Sequence, residues 1–123
     1  MGKEIIEAEG FLEELKELIE QRVPKKRREK VAKKYIFLLE TIREQRKEVI
    51  TLPYFEKLKG TRSMDLYCLR LVKKSPNIRI IFTFIGSYVV LLTAFEEREE
   101  SDYKRAIESA VNRYRDLLRE GLI

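Results

Sequence analysis

Two arginines in otherwise apolar segments are the residues best suited to chemistry. Arg70 lies in LYCLRLV and Arg79 lies in NIRIIF. Because side chains alternate between the faces of a strand, each arginine is expected on one surface of a sheet, with its apolar neighbours on the other. A planar, permanently charged guanidinium suits phosphate binding and stabilises the added negative charge of a pentacoordinate phosphoryl transition state. The alternative is that both arginines are solvated or paired with carboxylates.

Further charged side chains precede Arg70 in the sequence YFEKLKGTR. Glu56 is a candidate general base, and Lys59 is a candidate cation beside the phosphate. The alternative is a polar loop entering a strand, which fits Lys57 and Arg62 better than Lys59.

The composition restricts the available chemistry, because the chain has no histidine and only one cysteine, Cys68. Ser-His-Asp and Cys-His catalysis are therefore excluded, and a transition-metal site is hard to assemble, so no cofactor is expected. Acid and base roles fall to Glu, Asp, Lys, Arg, Tyr or water. Tyr103, at the start of the last predicted helix, is a candidate donor or stacking partner for a nucleotide, or else a core residue.

The charged residues occur in blocks. Lys and Arg total 26 against 21 Asp and Glu, a net charge of +5. Residues 1–20 carry seven glutamates, residues 22–34 carry eight Lys/Arg, residues 56–79 carry seven more, and residues 96–102 carry five acids. Such blocks predict a polyanionic partner such as RNA at a basic face. The alternative is that a run of Lys and Arg only forms the solvated face of a helix. The RNA-binding candidates are Lys25, Lys26, Arg27, Arg28, Lys57, Arg62, Lys73 and Lys74.

Length and composition indicate one domain covering residues 1–123, with 44% hydrophobic residues available for a core. The longest uncharged run, Ile80 to Phe95, has 16 residues and contains Gly86-Ser87, so it is too short and too interrupted to span a membrane. The N-terminal MGKEIIEAEG lacks the apolar region of a secretory signal. We therefore expect a cytoplasmic location and no membrane partner.

Helical periodicity dominates the first third of the chain. Apolar residues between positions 11 and 19 predict a helix from about Glu9 to Gln21. Pro24 favours the first turn of a second helix, which continues through Val31 to Ile42. The short connection Arg22 to Pro24 favours an antiparallel helical hairpin. Before it, Glu4 to Ile6 is a candidate short edge strand.

Three β-rich segments follow, Leu66 to Val72, Ile78 to Ile85 and Tyr88 to Phe95. Turn residues separate them at Lys73 to Asn77 and at Gly86-Ser87, so we predict a three-stranded antiparallel meander. Glycine in the first central position suits a type II′ turn. Pairing through the first turn would bring the guanidiniums of the two strand arginines onto one surface.

The last segment, Ser101 to Glu120, predicts a third helix with Ser101 as its N-cap candidate. The order of a short strand, two helices, three strands and one helix defines an α+β fold.

The run from Leu58 to about Tyr103 resembles the RelE/ParE toxin superfamily, nearest its HigB-like, phage-derived branch. The order and spacing of several parts carry the resemblance. These are Leu58-Lys59-Gly60, Leu66-Tyr67-x-Leu69-Arg70, Arg79-Ile80-Ile81-Phe82, the hairpin, Leu91-Leu92-x-Ala94-Phe95 and the closing helix. The resemblance implies two N-terminal helices packed on a small twisted antiparallel sheet.

The resemblance also implies the toxin of a bacterial toxin–antitoxin pair. Such a toxin is a metal-independent ribonuclease that cuts mRNA, usually on the ribosome, and a bound antitoxin silences it. Arg79 matches the family's middle-strand arginine, Arg70 matches the basic position of the preceding strand, and Tyr103 falls where some members carry a functional tyrosine. Lys59 and Glu56 align loosely with the lysine and glutamate of other branches.

The chain departs from the family pattern after Phe95, where relatives on this branch usually continue with two lysines. This chain has Glu96 to Glu100 there, interrupted by Arg98. Either Arg98 replaces the missing cations, or the acids pair with Arg70 and Arg79 and weaken RNA binding. Two other functions stay open: a non-catalytic ParE-like toxin that inhibits DNA gyrase by protein contact, and an inactive prophage remnant.

Overall fold

A computed structural model describes residues 5–59, 64–74 and 76–121 of the chain. No helix in these ranges is long and apolar enough to cross a membrane. The helices are α1 (Phe11–Arg22), α2 (Arg28–Gln45) and α3 (Glu100–Arg119), with 3₁₀ turns at Lys25–Arg27 and Arg46–Thr51. The strands are β1 (Ile5–Glu7), β2 (Phe55–Lys57), β3 (Tyr67–Val72), β4 (Ile78–Ile85) and β5 (Tyr88–Glu96).

The five strands form one sheet in the order β1-β5-β4-β3-β2. The predicted antiparallel meander is confirmed as β3, β4 and β5, and two short strands extend it. β1 pairs in parallel with β5, placing Ile5 opposite Val89. β2 pairs antiparallel with β3, placing Phe55 opposite Leu69. The alternative of a polar loop before β3 is therefore wrong for Phe55–Lys57, because a buried phenylalanine anchors this segment to the sheet.

Helices cover both faces of the sheet. This explains why successive residues of the central strands are apolar, and not only every second one. On one face, Phe11 of α1 and Leu38 of α2 belong to the same core as Phe82. On the opposite face, Ala110 of α3 packs in a second core with Ile81. The α+β fold and the helical hairpin are thus confirmed.

The helices of the hairpin begin later than their apolar periodicity predicts. α1 begins at Phe11 because Gly10 adopts a left-handed conformation with φ 90°. Pro24 is extended with ψ 142°, so it precedes a 3₁₀ turn and α2 begins only at Arg28. The guanidinium of Arg28 donates to the carbonyl oxygens of Glu20 and Val23, which satisfies the C-terminal end of α1.

The N-cap of α3 is Glu99 and not the predicted Ser101. The Glu99 side chain accepts from the backbone of Asp102, and the Asp102 carboxylate accepts from the backbone N–H groups of Arg98 and Glu99. This reciprocal capping box satisfies donors at the helix start that would otherwise be unpaired. Acidic residues of the 96–102 segment therefore have a structural role.

The two-residue hairpin turn between β4 and β5 is confirmed, with Gly86 at φ 57° between the paired residues Ile85 and Tyr88. Arg46, just after α2, holds this turn from the side. Its guanidinium donates to the carbonyl oxygens of Gly86 at 2.8 Å and Ser87 at 3.1 Å. Arg46 itself adopts φ 56°, a strained conformation for a residue with a Cβ.

A single carboxylate joins the two helical layers at the open edge of β5, beyond the end of β1. Glu14 Oε1 accepts from Thr93 Oγ1 at 2.8 Å, from the Ala94 amide at 3.0 Å and from Arg113 Nη1 at 2.7 Å. Arg113 also donates to the Leu92 carbonyl oxygen at 2.9 Å. Helix α1 on one face and α3 on the other are thereby attached to the same strand.

Replacing Glu14 by alanine is expected to lower the free energy of unfolding by about 1–3 kcal/mol, because three donors lose their acceptor together. Glu13→Ala is the matched control, since Glu13 is an exposed acid in the same first turn of α1 and contributes equally to the helix dipole. Urea unfolding followed by circular dichroism measures both variants. Equal midpoints for the two variants would contradict the assigned role of Glu14.

Candidate functional site

The two strand arginines lie directly opposite each other on neighbouring strands. Arg70 of β3 and Arg79 of β4 are paired positions in the antiparallel register. The predicted pairing through the 73–77 turn is therefore confirmed, although Ser75 lies outside the described residues. Their guanidiniums are held by different groups. Arg70 Nη2 donates to the Pro53 carbonyl oxygen at 3.1 Å, whereas Arg79 is bound by side chains near the start of α3.

Arg79 lies among polar side chains beside the start of α3. Its Nε is 2.9 Å from Glu97 Oε1 and donates to Asn77 Oδ1 at 3.3 Å. Its Cζ lies 5.7 Å from the centre of the Tyr103 ring, within cation–π range. The Arg79 side chain is 17% exposed, so it is largely but not fully buried.

Tyr103 combines the two roles considered for it. Its ring packs edge-on against Phe95 with centroids 5.3 Å apart, as a core residue does. Its hydroxyl donates to Glu56 Oε2 at 2.9 Å, which brings the candidate base on β2 into the same cluster. Burial, the neighbouring Cys68 and the hydrogen bond to Glu56 raise the pKa of Tyr103. The phenol therefore stays protonated near neutral pH and acts as a donor, not as a base.

Cys68 forms the buried floor of this cluster, opposite Glu56 in the β2–β3 register. It is 1% exposed. Burial raises the pKa of its thiol to about 11, although interactions with Tyr103 and Arg79 act in the opposite direction. We call Glu56, Cys68, Arg79, Glu97 and Tyr103 the central cluster.

Cys68 and Glu97 are the two members of the central cluster that the sequence did not mark as site residues. Strand alternation places Cys68 on the same face as Arg70, so the pattern contained a signal for it. The pairing of an acid from the 96–100 segment with Arg79 was an open alternative, and Glu97 confirms it. No acid pairs with Arg70 in the part of the chain that the structure describes, where its side chain donates to Pro53.

The remaining catalytic candidates lie outside the central cluster. Lys59 is exposed and directly follows the buried Leu58. Arg98 is exposed and lines a groove against α1 with Leu18 and Arg22. Lys57 pairs with Asp65 at 3.4 Å. Arg62 and Gly60 lie outside the described residues.

The basic residues of the first helical connection differ in availability. Lys25 and Lys26 are exposed, whereas Arg27 is half-buried. Arg28 is occupied by the carbonyl oxygens at the end of α1, which makes it a capping residue. Lys73 and Lys74 are exposed directly after β3.

The central cluster thus combines a guanidinium, a protonated phenol and two carboxylates around one strand end. Such groups bind a phosphate, accept a proton and return one. In residues 5–59, 64–74 and 76–121, no three His, Cys, Asp or Glu side chains are grouped to hold a metal ion.

Comparison with known proteins assigns the chain to a family. The family described as "Phage derived protein Gp49-like" matches residues 21–115, more than half of the 123-residue sequence. The chain therefore belongs to this family of phage-derived, RelE-type toxins, which confirms the resemblance noted in its sequence. A search of the curated proteins finds no match.

One solved structure is similar to this chain, that of a double arginine-to-alanine mutant of the E. coli toxin RelE in the free state. The similarity has a TM-score of 0.46 and 21% sequence identity, and it covers 92% of this chain and 98% of that one.

The burial of Cys68 predicts an unreactive thiol in the native protein. Since its pKa is about 11 and it is 1% exposed, we expect a thiol-specific disulfide reagent at pH 8 to react at least about 100-fold more slowly than in guanidinium chloride. Absorbance of the released thiolate measures both rates. Equal rates in the two conditions would mean that the floor of the central cluster is open to solvent.

Proposed function

We propose that this toxin is an endoribonuclease that cuts mRNA without a metal ion, using the central cluster. The observation that carries the proposal is the convergence of Arg79, Tyr103 and Glu56 from three separate elements, β4, α3 and β2. The packing of the hydrophobic core does not require a guanidinium to lie beside a phenol that is hydrogen-bonded to a carboxylate. A protein without histidine needs such groups for proton transfer.

In the proposed reaction, the ribose 2′-oxygen attacks the adjacent phosphorus while the bond from phosphorus to the 5′-oxygen breaks. The products are a 2′,3′-cyclic phosphate and a free 5′-hydroxyl. Arg79 binds the phosphate and stabilises the negative charge that develops on its oxygens. Arg70, at the paired position on β3, supplies a second positive charge beside the same strand end.

Proton transfer is assigned to the Tyr103–Glu56 pair. Glu56 accepts the proton of the 2′-hydroxyl, and Tyr103 donates its proton to the departing 5′-oxygen. The 2.9 Å hydrogen bond between them then returns the proton from Glu56 to Tyr103 and restores both groups. The raised pKa of Tyr103 fits this role, because a phenol that stays protonated is available to a strongly basic leaving oxygen.

Replacing Arg79 by alanine tests this assignment in growing bacteria. Primer extension across a reporter mRNA after induction is expected to show cleavage by the natural chain and a reduction of about 100-fold or more in the variant, with growth arrest lost in parallel. Arg115→Ala, an exposed arginine on α3, is the matched control and should cleave normally. If the double variant Arg70→Ala/Arg79→Ala still arrests growth, the ribonuclease proposal fails.

The Glu97 carboxylate occupies the guanidinium that the substrate phosphate needs. Glu97→Gln is therefore expected to strengthen binding of a single-stranded RNA at low salt by roughly threefold to tenfold, since it removes a competing negative charge worth about 1 kcal/mol. Glu100→Gln, an exposed acid in the same segment, is the control. Fluorescence anisotropy with a labelled oligonucleotide measures both, and unchanged binding of Glu97→Gln would argue against this competition.

The same ion pair favours a second candidate function, in which the toxin inhibits DNA gyrase by protein contact and cuts no RNA. In that case Arg79 and Glu97 are simply a structural pair. Growth arrest with intact reporter mRNA is the outcome that would select this alternative.

Toxins of this kind are paired with an antitoxin, so a cognate antitoxin is the expected partner. The mRNA and the ribosome are the further partners under the ribonuclease proposal. An acidic segment of the antitoxin suits the basic end of the sheet by charge complementarity.

A further inference from the structure

A group of basic side chains lies near an exposed tyrosine at the β2 edge of the sheet. We call it the edge cluster. It consists of Lys34, Tyr54, Arg70 and Lys73. None of its three cations is paired with a carboxylate in residues 5–59, 64–74 and 76–121.

The backbone around Tyr54 fixes the geometry of the edge cluster. Tyr54 directly precedes β2, and its carbonyl oxygen accepts from the Arg70 amide at 2.9 Å. The Arg70 guanidinium reaches along the same segment to the Pro53 carbonyl oxygen at 3.1 Å. Arg70 is thereby bound to the backbone of the Pro53-Tyr54 segment through both its amide and its guanidinium.

Helix α2 contributes Lys34 to the edge cluster. Lys34 Nζ lies over the Tyr54 ring, 4.6 Å from its centre. Lys34 is half-buried, and burial, followed by the charges of Arg70 and Lys73, lowers its pKa. The fold therefore holds together like charges that pair with no acid among the described residues, an arrangement that a bound polyanion stabilises.

The aromatic ring indicates which polyanion fits. Tyr54 is 41% exposed, even with Lys34 over the ring, so surface remains for a stacked base. Exposed aromatic rings among Lys and Arg are typical of surfaces that bind single-stranded nucleic acid, because every base has a face that stacks. A purely acidic peptide makes no use of the ring.

We propose that the edge cluster binds single-stranded RNA, with Tyr54 stacking on a base and the surrounding cations holding the flanking phosphates. The inference rests on the proposed action on RNA and extends it to a second contact region. Because Arg70 is paired with Arg79 across β3 and β4, the edge cluster is continuous with the central cluster. An RNA strand bound at the edge cluster would thus continue into the central cluster, where its reacting phosphate lies.

The test uses the full chain and a labelled single-stranded RNA whose 2′-oxygens are methylated, so that binding is measured without cleavage. Tyr54→Ala is expected to weaken binding by about tenfold and to leave the salt dependence unchanged, since it removes stacking alone. Lys34→Gln is expected to weaken binding by about fivefold and to reduce the slope of log Kd against log salt by about 0.7. Tyr54→Phe should bind as the natural chain does.

Lys33→Gln is the matched charge control, because Lys33 is the next residue on α2, is exposed and faces Glu29 at 3.7 Å. It should bind RNA normally. Circular dichroism confirms that each variant is folded. If Tyr54→Ala and Lys34→Gln both bind like the natural chain, the inference is overturned, and it is equally overturned if they lose binding only to a polyglutamate peptide.

Comparison with cleavage in cells separates this inference from the proposed function. RNA binding that depends on Tyr54 and Lys34, without mRNA cleavage by the natural chain, supports the edge cluster and rejects the nuclease. Cleavage that depends on Arg79, with RNA binding indifferent to Tyr54 and Lys34, rejects only the edge cluster.

Discussion

The burial of the sheet on both faces is the constraint on which the site depends. α1 and α2 cover one face and α3 covers the other, so the interior positions of β3, β4 and β5 must be apolar or internally hydrogen-bonded. A charged side chain is tolerated only where a strand leaves this layered region. Arg70 and Arg79 stand at that limit, next to the turn that joins their strands. The same end of the sheet collects the exposed Lys73 and Lys74, because turn residues after β3 have no layer to cover them.

This constraint also explains the acidic segment after β5. Glu96 Oε1 accepts from Arg22 Nε at 2.7 Å, tying the end of α1 to the end of the sheet. Glu97 pairs with Arg79, and Glu99 forms the capping box of α3 with Asp102. Four of the five acids thus have assigned partners, so most of their charge is committed within the fold. Most acids of this segment therefore form the ion pairs and the helix cap that hold α1, β4 and α3 at one end of the sheet.

The sequence predicted the elements with strong periodicity or definite turn chemistry and missed those that depend on contacts between distant segments. The β3–β5 meander and the Gly86-Ser87 turn follow from local patterns. β2 has only three residues and exists because Phe55 is buried against the sheet, which no local pattern shows. The N-cap of α3 was assigned to Ser101 on side-chain type, but the reciprocal bonds of Glu99 and Asp102 move the helix start. Among the site residues, Arg79 follows from its apolar surroundings, and strand alternation gives a signal for Cys68. The position of Glu97 beside Arg79 depends on the pairing of β4 with β5, which no local pattern shows.

The pairing of Arg79 with Glu97 determines how the proposed site would meet its substrate. The Arg79 side chain is only 17% exposed and already has a carboxylate partner. When a phosphate replaces that carboxylate, the additional free-energy cost of desolvating the guanidinium is therefore small. The exchange is thus close to balanced at Arg79 itself, and in the proposed complex the net attraction for RNA comes from cations that no carboxylate holds. Within residues 5–59, 64–74 and 76–121, Lys34, Arg70 and Lys73 have no carboxylate partner, and Arg70 lies on the strand next to that of Arg79. In the proposed arrangement the central cluster would supply chemistry and the edge cluster affinity, so an internal acid beside the main arginine is compatible with binding a polyanion.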